Sequence, residues 1–213
     1  MLQELLPYFE NKKGIRIGGS LRWKFEKYTD FATQIVDVNN TPFFVGIPNK
    51  ADYFTDATNL YFSQDGEFDF VCSSHVLEHI ANPIKAIKEW MRVVKKGGVI
   101  YCAVPDKRFT FDHKRKRTTM QHLVSDYQSN IGPHDITHLQ DIIFNVDLEM
   151  SDMTQKRMFN WLLDYAAVDS AAKSEPHHHV YTKEDLIQLF KLVGLEIVFV
   201  DLLGDTIHLV GRK

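Results

Sequence analysis

The stretch from Phe68 to Val104 constrains the fold more than any other part of the chain. FDFVCS, residues 68–73, is a largely apolar segment of strand length and reads as a buried strand. Asn82 then stands as an N-cap before Pro83, and Ile84, Ile87, Met91 and Val94 recur at helical spacing until Gly97 and Gly98. GVIYCAV, residues 98–104, is apolar at successive positions, the pattern of a strand covered on both faces by helices. Strand, helix and strand in this order form a βαβ unit, which implies an α/β fold with a parallel sheet.

The flanking sequence extends that sheet. Leu2, Leu5, Leu6 and Phe9 have helical spacing. Strands are expected over 14–19, 34–38 and, more weakly, at Tyr53–Phe54. From about 105 to 180 the periodicity is helical, through Met120, Leu123, Val124 and Tyr127, then Ile136, Leu139, Ile143 and Val146, then Met158, Trp161, Leu162 and Tyr165. Thr182 and Asp185 have capping-box spacing before Leu186, Leu189, Phe190 and Val193. Strands over 195–203 and 206–211 follow, joined by Gly204-Asp205 as a hairpin turn. The expectation is a single domain over 1–213, a mostly parallel seven-stranded sheet with a C-terminal antiparallel hairpin and a helical insertion after strand five.

Composition removes several classes of function. Twenty-five basic residues against 28 acidic ones give a net charge of −3, which offers no general attraction to nucleic acid or an anionic membrane. No apolar run approaches the ~18 residues of a membrane span, and Glu4 and Glu10 interrupt the N-terminal leucines where a signal sequence would be apolar. A cytoplasmic location is expected. Cys72 and Cys102 lie inside apolar runs and read as reduced core residues.

In an open α/β sheet, ligands lie beyond the C-terminal ends of the strands. Here those ends carry Gly18-Gly19-Ser20, Asp37, Asp56-Ala57, Ser74-His75 and Pro105-Asp106. Glycines after the first strand allow close backbone approach, and an acid after the second suits ribose hydroxyls; together they imply a nucleoside, although no full G-x-G-x-x-G is present.

Three ordered motifs make the reading specific: Asp56-Ala57-Thr58-Asn59-Leu60, the run from Phe68 through His75 to Leu77-Glu78-His79-Ile80, and Arg92-Val-Val-Lys-Lys-Gly97-Gly98. Together they resemble the class I S-adenosylmethionine-dependent methyltransferases of the small-molecule type. Residues 14–20, 77–83, 104–112 and 177–182 further resemble a subgroup associated with surface-polysaccharide functions. The resemblance implies a Rossmann-like fold with S-adenosylmethionine as cofactor. It assigns Gly18, Gly19 and Ser20 to the methionine and ribose side, and Asp37 to the ribose hydroxyls. Asp56 and the Ala57 amide fall to the adenine, Ser74 and His75 to the methionine and the transferred methyl. One position departs from the pattern: Arg16 stands where the family usually has an acid in the first strand. A non-catalytic cofactor-binding or interaction protein is therefore the alternative to a methyltransferase.

The chain has ten histidines, none before His75 and nine of them between His75 and His179. Transfer to a hydroxyl needs a general base or a metal to take the acceptor's proton. His177 and His179, two apart in an extended segment, are expected on one face. Asp106, Asp112 and His113 follow strand five, and His134 and His138 are four apart. His75, Asp112, His138, His177 and His179 are the candidates for catalysis. A divalent metal is weighed behind proton transfer, and no metal ligand is assigned. Lys107, Arg108 and the run 114–117 offer a cradle for an acidic or phosphorylated acceptor. The expected reaction is O-methylation of a sugar or polysaccharide precursor, or a similar small molecule.

Overall fold

A computed structural model describes residues 4–18, 34–37, 43–44, 47–48, 51–132, 135–151, 154, 156–158, 160, 163 and 176–213. The main sheet has seven strands: β1 (Gly14–Ile17), β2 (Gln34–Asp37), β3 (Tyr53–Phe54), β4 (Phe68–Ser74), β5 (Val94–Pro105), β6 (Glu196–Leu203) and β7 (Thr206–Arg212). Their order across the sheet is β3-β2-β1-β4-β5-β7-β6. The first five run parallel, and β7 inserts antiparallel between β5 and β6. The switch in strand order thus falls between β1 and β4, which directs a ligand to the loops leaving those two strands. A separate two-stranded ladder pairs Phe43–Phe44 with Ile47–Pro48.

The helices among the described residues include α1 (Leu6–Phe9), α2 (Pro83–Val93), α3 (Met120–Gln128), α4 (Leu139–Asn145) and α5 (Lys183–Leu192). One face of the sheet is covered by the apolar sides of α2 and α5, with Ile84, Ile87, Trp90, Leu186, Leu189 and Phe190 fully or almost fully buried. On the opposite face α1 brings Leu5 and Phe9 onto Phe70, Cys72 and Tyr101. Phe9 meets Phe70 edge-on at a centroid distance of 5.0 Å. Both cysteines are free and buried, as their apolar surroundings predict.

The helix caps follow the sequence closely. Asn82 Oδ1 accepts from the Lys85 amide, and Thr182 and Asp185 form the reciprocal capping box. Two expectations shift. Helix α2 ends at Val93 and β5 begins at once, so Gly97 and Gly98 are not its stop. The pairing of β5 with β4 jumps between Phe68 and Phe70, and the glycines absorb that irregularity: Gly97 has φ +78, and a Cβ on Gly98 would lie 2.5 Å from the Asp69 carbonyl oxygen. In α4 the buried residue is Ile142, packed with Leu139, Val146 and Met158, whereas Ile136 and Ile143 are exposed. Ile136 precedes the helix and Ile143 is rotated off its inner face, so the short helix presents i, i+3 and i+7 inward. Trp161, Leu162 and Tyr165 lie outside the described residues.

Candidate active site

Because the first five strands run parallel, their C-terminal ends lie along one edge of the sheet. Gly18, directly after β1, has φ +95, and a Cβ there would stand 2.5 Å from Val76 Cγ2. Only glycine suits that turn, which lies tight against the segment leaving β4. Gly19 and Ser20 lie outside the described residues. Asp37 is the last residue of β2, paired in register with Phe54 of β3. Beyond β3, Asp56 Oδ1 accepts from the Thr58 amide at 2.6 Å, and Trp90 Nε1 donates to the Ala57 carbonyl at 3.0 Å, so the Asp56-Ala57 turn is anchored to α2. Ser74 closes β4, and His75 follows in the left-handed region at φ +52, its amide donating to Ala103 O at 2.9 Å. Such a backbone is costly for a residue with a Cβ and is characteristic of functional turns. A glycine turn at β1 and acids at the ends of β2 and β3 fit a nucleoside cofactor. Arg16 does not supply the family's acid; it is buried on β1 beside Cys72, with an Nε that has no hydrogen-bond partner among the described residues.

The histidines fall into two groups. In the first, His177 Nδ1 donates to Asp112 Oδ2 at 2.6 Å, and its ring stacks on Phe111. Asp112 and Arg115 are a buried pair, with Arg115 Nη1 donating to Asp112 Oδ1 at 3.0 Å and to the His177 carbonyl at 2.8 Å. Burial pushes the His177 pKa down, but the Asp112 carboxylate outweighs it and holds the imidazole above its usual range. Burial likewise pushes Asp112 up, and His177 with Arg115 overcome it and hold the carboxyl low. The His79 ring lies 4.6 Å from that of His177, and its Nδ1 is 3.3 Å from Pro176 O. Glu78 is buried beside them, and among the described residues neither carboxylate oxygen accepts a hydrogen bond of good geometry; His75 Nδ1 is 3.5 Å away and His79 Nε2 3.9 Å. Burial raises the Glu78 pKa, but the surrounding imidazoles of His75, His79 and His177 pull it below the ordinary carboxylate range.

The second group joins α3 to the turn before α4 and to the segment leading into α5. His122 and Asp126 stand four apart on α3, with His122 Nε2 at 3.2 Å from Asp126 Oδ2. His138 Nε2 is 2.8 Å from His122 Nε2, while its Nδ1 donates to Asp135 Oδ2 at 2.7 Å. His179 is fully buried, its Nε2 donating to Ala81 O at 3.0 Å. Burial drives His178 down to about 3 and His179 well below its usual value, so both are neutral imidazoles. Burial also raises Asp126, despite the nearby His122 and His138.

The expectation that His177 and His179 share a face is therefore not met. The segment is not a regular strand and its side chains do not alternate: His177 turns to Asp112, while His178 and His179 both turn to His138. His134 lies outside the described residues. Asp106 is buried and caps a short turn, holding Arg108 in a two-pronged pair at 2.9 and 2.6 Å. The basic run is largely occupied internally, through Lys107 to the His113 carbonyl, Lys114 to Asp147, Arg115 to Asp112 and Arg117 to Asp185. Sequence reasoning did not single out His122, Asp126 or Asp135, and it placed Arg115 in a basic run instead of beside Asp112. The i,i+4 pair His122/Asp126 and the i,i+3 pair Asp135/His138 were the available signals.

The strand order, the glycine turn and the strand-end acids define a class I, Rossmann-like nucleotide-cofactor fold. A family model described as a methyltransferase domain matches residues 7–200. The chain belongs to that family, within the S-adenosylmethionine-dependent class. Similar solved structures include the S-adenosylmethionine-dependent methyltransferase of Mesorhizobium loti, at TM-score 0.57 and 14% identity, covering 100% of this chain and 95% of that one. Another is that of Methanosarcina mazei, at TM-score 0.53 and 18% identity, covering 99% and 96%. Likeness at such identities shows the fold. The mitochondrial ubiquinone biosynthesis O-methyltransferase of Dictyostelium discoideum is 38% identical over 66 residues, 30% of this chain and 21% of that protein. The match thus spans about a fifth of that curated relative. Among the described residues no helix is long and apolar enough to cross a membrane.

Proposed function

We propose that the protein transfers the methyl group of S-adenosylmethionine to a hydroxyl of a small-molecule acceptor, with a sugar or polysaccharide precursor as first choice. The observation that carries this reading is the pair between partly exposed His177 and buried Asp112, 2.6 Å apart, beside the loop that leaves β4. The match to an O-methyltransferase of ubiquinone biosynthesis supports oxygen as the methylated atom.

In this reading Gly18, Gly19, Ser20, Asp37, Asp56, Ala57, Ser74 and His75 hold the cofactor, with His75 beside the reacting methyl. The bound cofactor supplies a sulfonium-activated methyl, so the chain's task is alignment and proton removal. Asp112 holds the His177 Nδ1 proton and thereby leaves Nε2 as the acceptor for the proton of the attacking hydroxyl. Arg115 fixes Asp112 and the His177 carbonyl together, so the dyad is preorganised. Glu78 lies within 4.8 Å of donor atoms of His79 and His177 and stabilises positive charge that develops there. The helical insertion over 105–180 covers the acceptor. The net charge of −3 and the internally paired basic run favour a small molecule over nucleic acid, and the free, buried Cys72 and Cys102 suit a reducing, cytoplasmic compartment.

Calorimetry with S-adenosylmethionine and S-adenosylhomocysteine, followed by methyl transfer to a panel of nucleotide sugars and phenols, tests the proposal. Asp37→Ala is expected to weaken cofactor binding by ~1–3 kcal/mol, the cost of stranding hydrogen-bonding groups. His177→Asn is expected to reduce turnover by about 10²–10⁴-fold with unchanged cofactor affinity. Absence of cofactor binding sinks the reading. The buried Arg16 favours one alternative, a cofactor-binding protein without catalysis, which binding without turnover on every acceptor would support.

A further inference from the structure

We propose that His122, Asp126, His138 and His179 form a binding site for one divalent transition-metal ion of the zinc type, which ties three segments of the helical insertion together. One donor atom from each of the four residues comes together within 4.8 Å of the others. The set is three imidazoles and one carboxylate, the donor chemistry that zinc takes in four-coordinate sites and that magnesium or calcium does not favour.

Three features distinguish this cluster from a chance gathering of polar residues. Asp126 is only 7% exposed, yet its Oδ2 accepts no hydrogen bond among the described residues. A buried carboxylate oxygen left in that state is expensive unless a cation completes it. That same oxygen lies 3.2 Å from His122 Nε2, 3.7 Å from His179 Nε2 and 4.0 Å from His138 Nε2, so it sits among the imidazole donors. Second, His138 gives its Nδ1 proton to Asp135, whose carboxylate is itself held by the Thr137 hydroxyl at 2.7 Å. This fixes the tautomer with the Nε2 lone pair directed into the cluster, the carboxylate–histidine arrangement that orients metal ligands. Third, the ligands come from separate parts of the chain: α3, the turn before α4, and the segment preceding α5. Half-exposed His122 provides the entry path, while the other three are buried.

The spacings nearly match. Two ligands on a tetrahedral ion at ~2.0–2.1 Å stand roughly 3.3 Å apart. The 2.8 Å contact between His122 and His138 must therefore open by about 0.5 Å, and the 3.7 and 4.0 Å separations from Asp126 must close by about 0.4–0.7 Å. Rotation of the exposed His122 side chain supplies the first adjustment. His179 contributes by releasing its Nε2 proton from Ala81 O to Nδ1, an atom with no hydrogen-bond partner among the described residues. The ion is then structural, with every position filled by protein, and it ties α3 to the turn before α4 and to the segment that leads into α5.

The test is calorimetric titration of chelator-stripped full-length protein with Zn²⁺, with visible absorption of the Co²⁺ form as a report of geometry. One equivalent should bind, with the intense absorption of tetrahedral cobalt. His122→Ala and Asp126→Asn should each lower the affinity at least about tenfold, and His113→Ala, remote from the cluster, should leave it unchanged. Because His122 is half exposed, its variant is expected to keep the fold, which circular dichroism checks. The wild type failing to bind one equivalent overturns the proposal. So does wild-type affinity in the His122 variant, which would assign any uptake to scattered surface histidines.

Discussion

His208 provides a stability test that does not depend on the reaction. It lies on β7, 1% exposed, with the Tyr101 hydroxyl donating to its Nδ1 at 2.7 Å. Burial is the main cause that takes its pKa from 6.5 down to about 4, with the nearby His75 adding to the effect and Asp201 opposing it. The sign follows from which state binds the proton. Between pH 6.5 and pH 4 the unfolded chain is protonated at this residue and the folded chain is not, so acid favours unfolding. The associated stability is complete above pH 6.5 and is lost as the pH falls toward 4. For those two values the loss at pH 5.0 is about 2 kcal/mol, and at pH 7.5 it is close to zero. Urea denaturation at pH 7.5 and 5.0 measures it in the wild type and in His208→Asn. The variant should be less stable at pH 7.5 by about 1–2 kcal/mol, through lost packing and an altered bond to Tyr101. Its further loss on going to pH 5.0 should be about 2 kcal/mol smaller than that of the wild type. Equal losses in the two proteins would refute the assignment of a neutral buried imidazole.

Two other outcomes are expected. Gly18→Ala should cost about 1–3 kcal/mol in urea denaturation because of its φ of +95 and the contact with Val76, and should weaken S-adenosylmethionine binding measured by calorimetry at least about tenfold; unchanged affinity would remove this turn from the cofactor site. Asn82→Ala should cost about 2 kcal/mol by the same denaturation assay, since it removes the cap of α2 and the donations from Nδ2 to Asp126 O at 3.2 Å and Ile131 O at 3.4 Å. A loss below about 0.5 kcal/mol would show that α3 does not depend on this tie.

The sequence by itself determined the architecture of the sheet, because the relevant signals are local and repeated. Apolar-rich segments at 68–73 and 98–104, a capped helix between them and an acid or glycine at most strand ends need no knowledge of distant contacts. The same holds for the capping box at Thr182 and the hairpin around Gly204. Periodicity was less decisive where elements are short: α4 buries Ile142 instead of Ile143, and Gly97 and Gly98 shape an irregularity in β5.

Only the tertiary structure decided which histidines work together. His177 and His179 are neighbours in sequence but belong to different groups, whereas His122 and His179 are 57 positions apart and meet across α3. Local spacing cannot reveal such groupings in an irregular segment, where neither helical nor strand periodicity applies to the side chains. It also cannot show that Asp126 Oδ2 is buried with no hydrogen-bond donor among the described residues, or that Arg115 belongs to Asp112 and not to a solvated basic run. Those facts depend on three segments closing over one another, and burial then sets the charge of each imidazole. The histidine excess is visible in composition; its division into an Asp112–His177 pair and a four-residue cluster with metal-binding chemistry exists only in the folded chain.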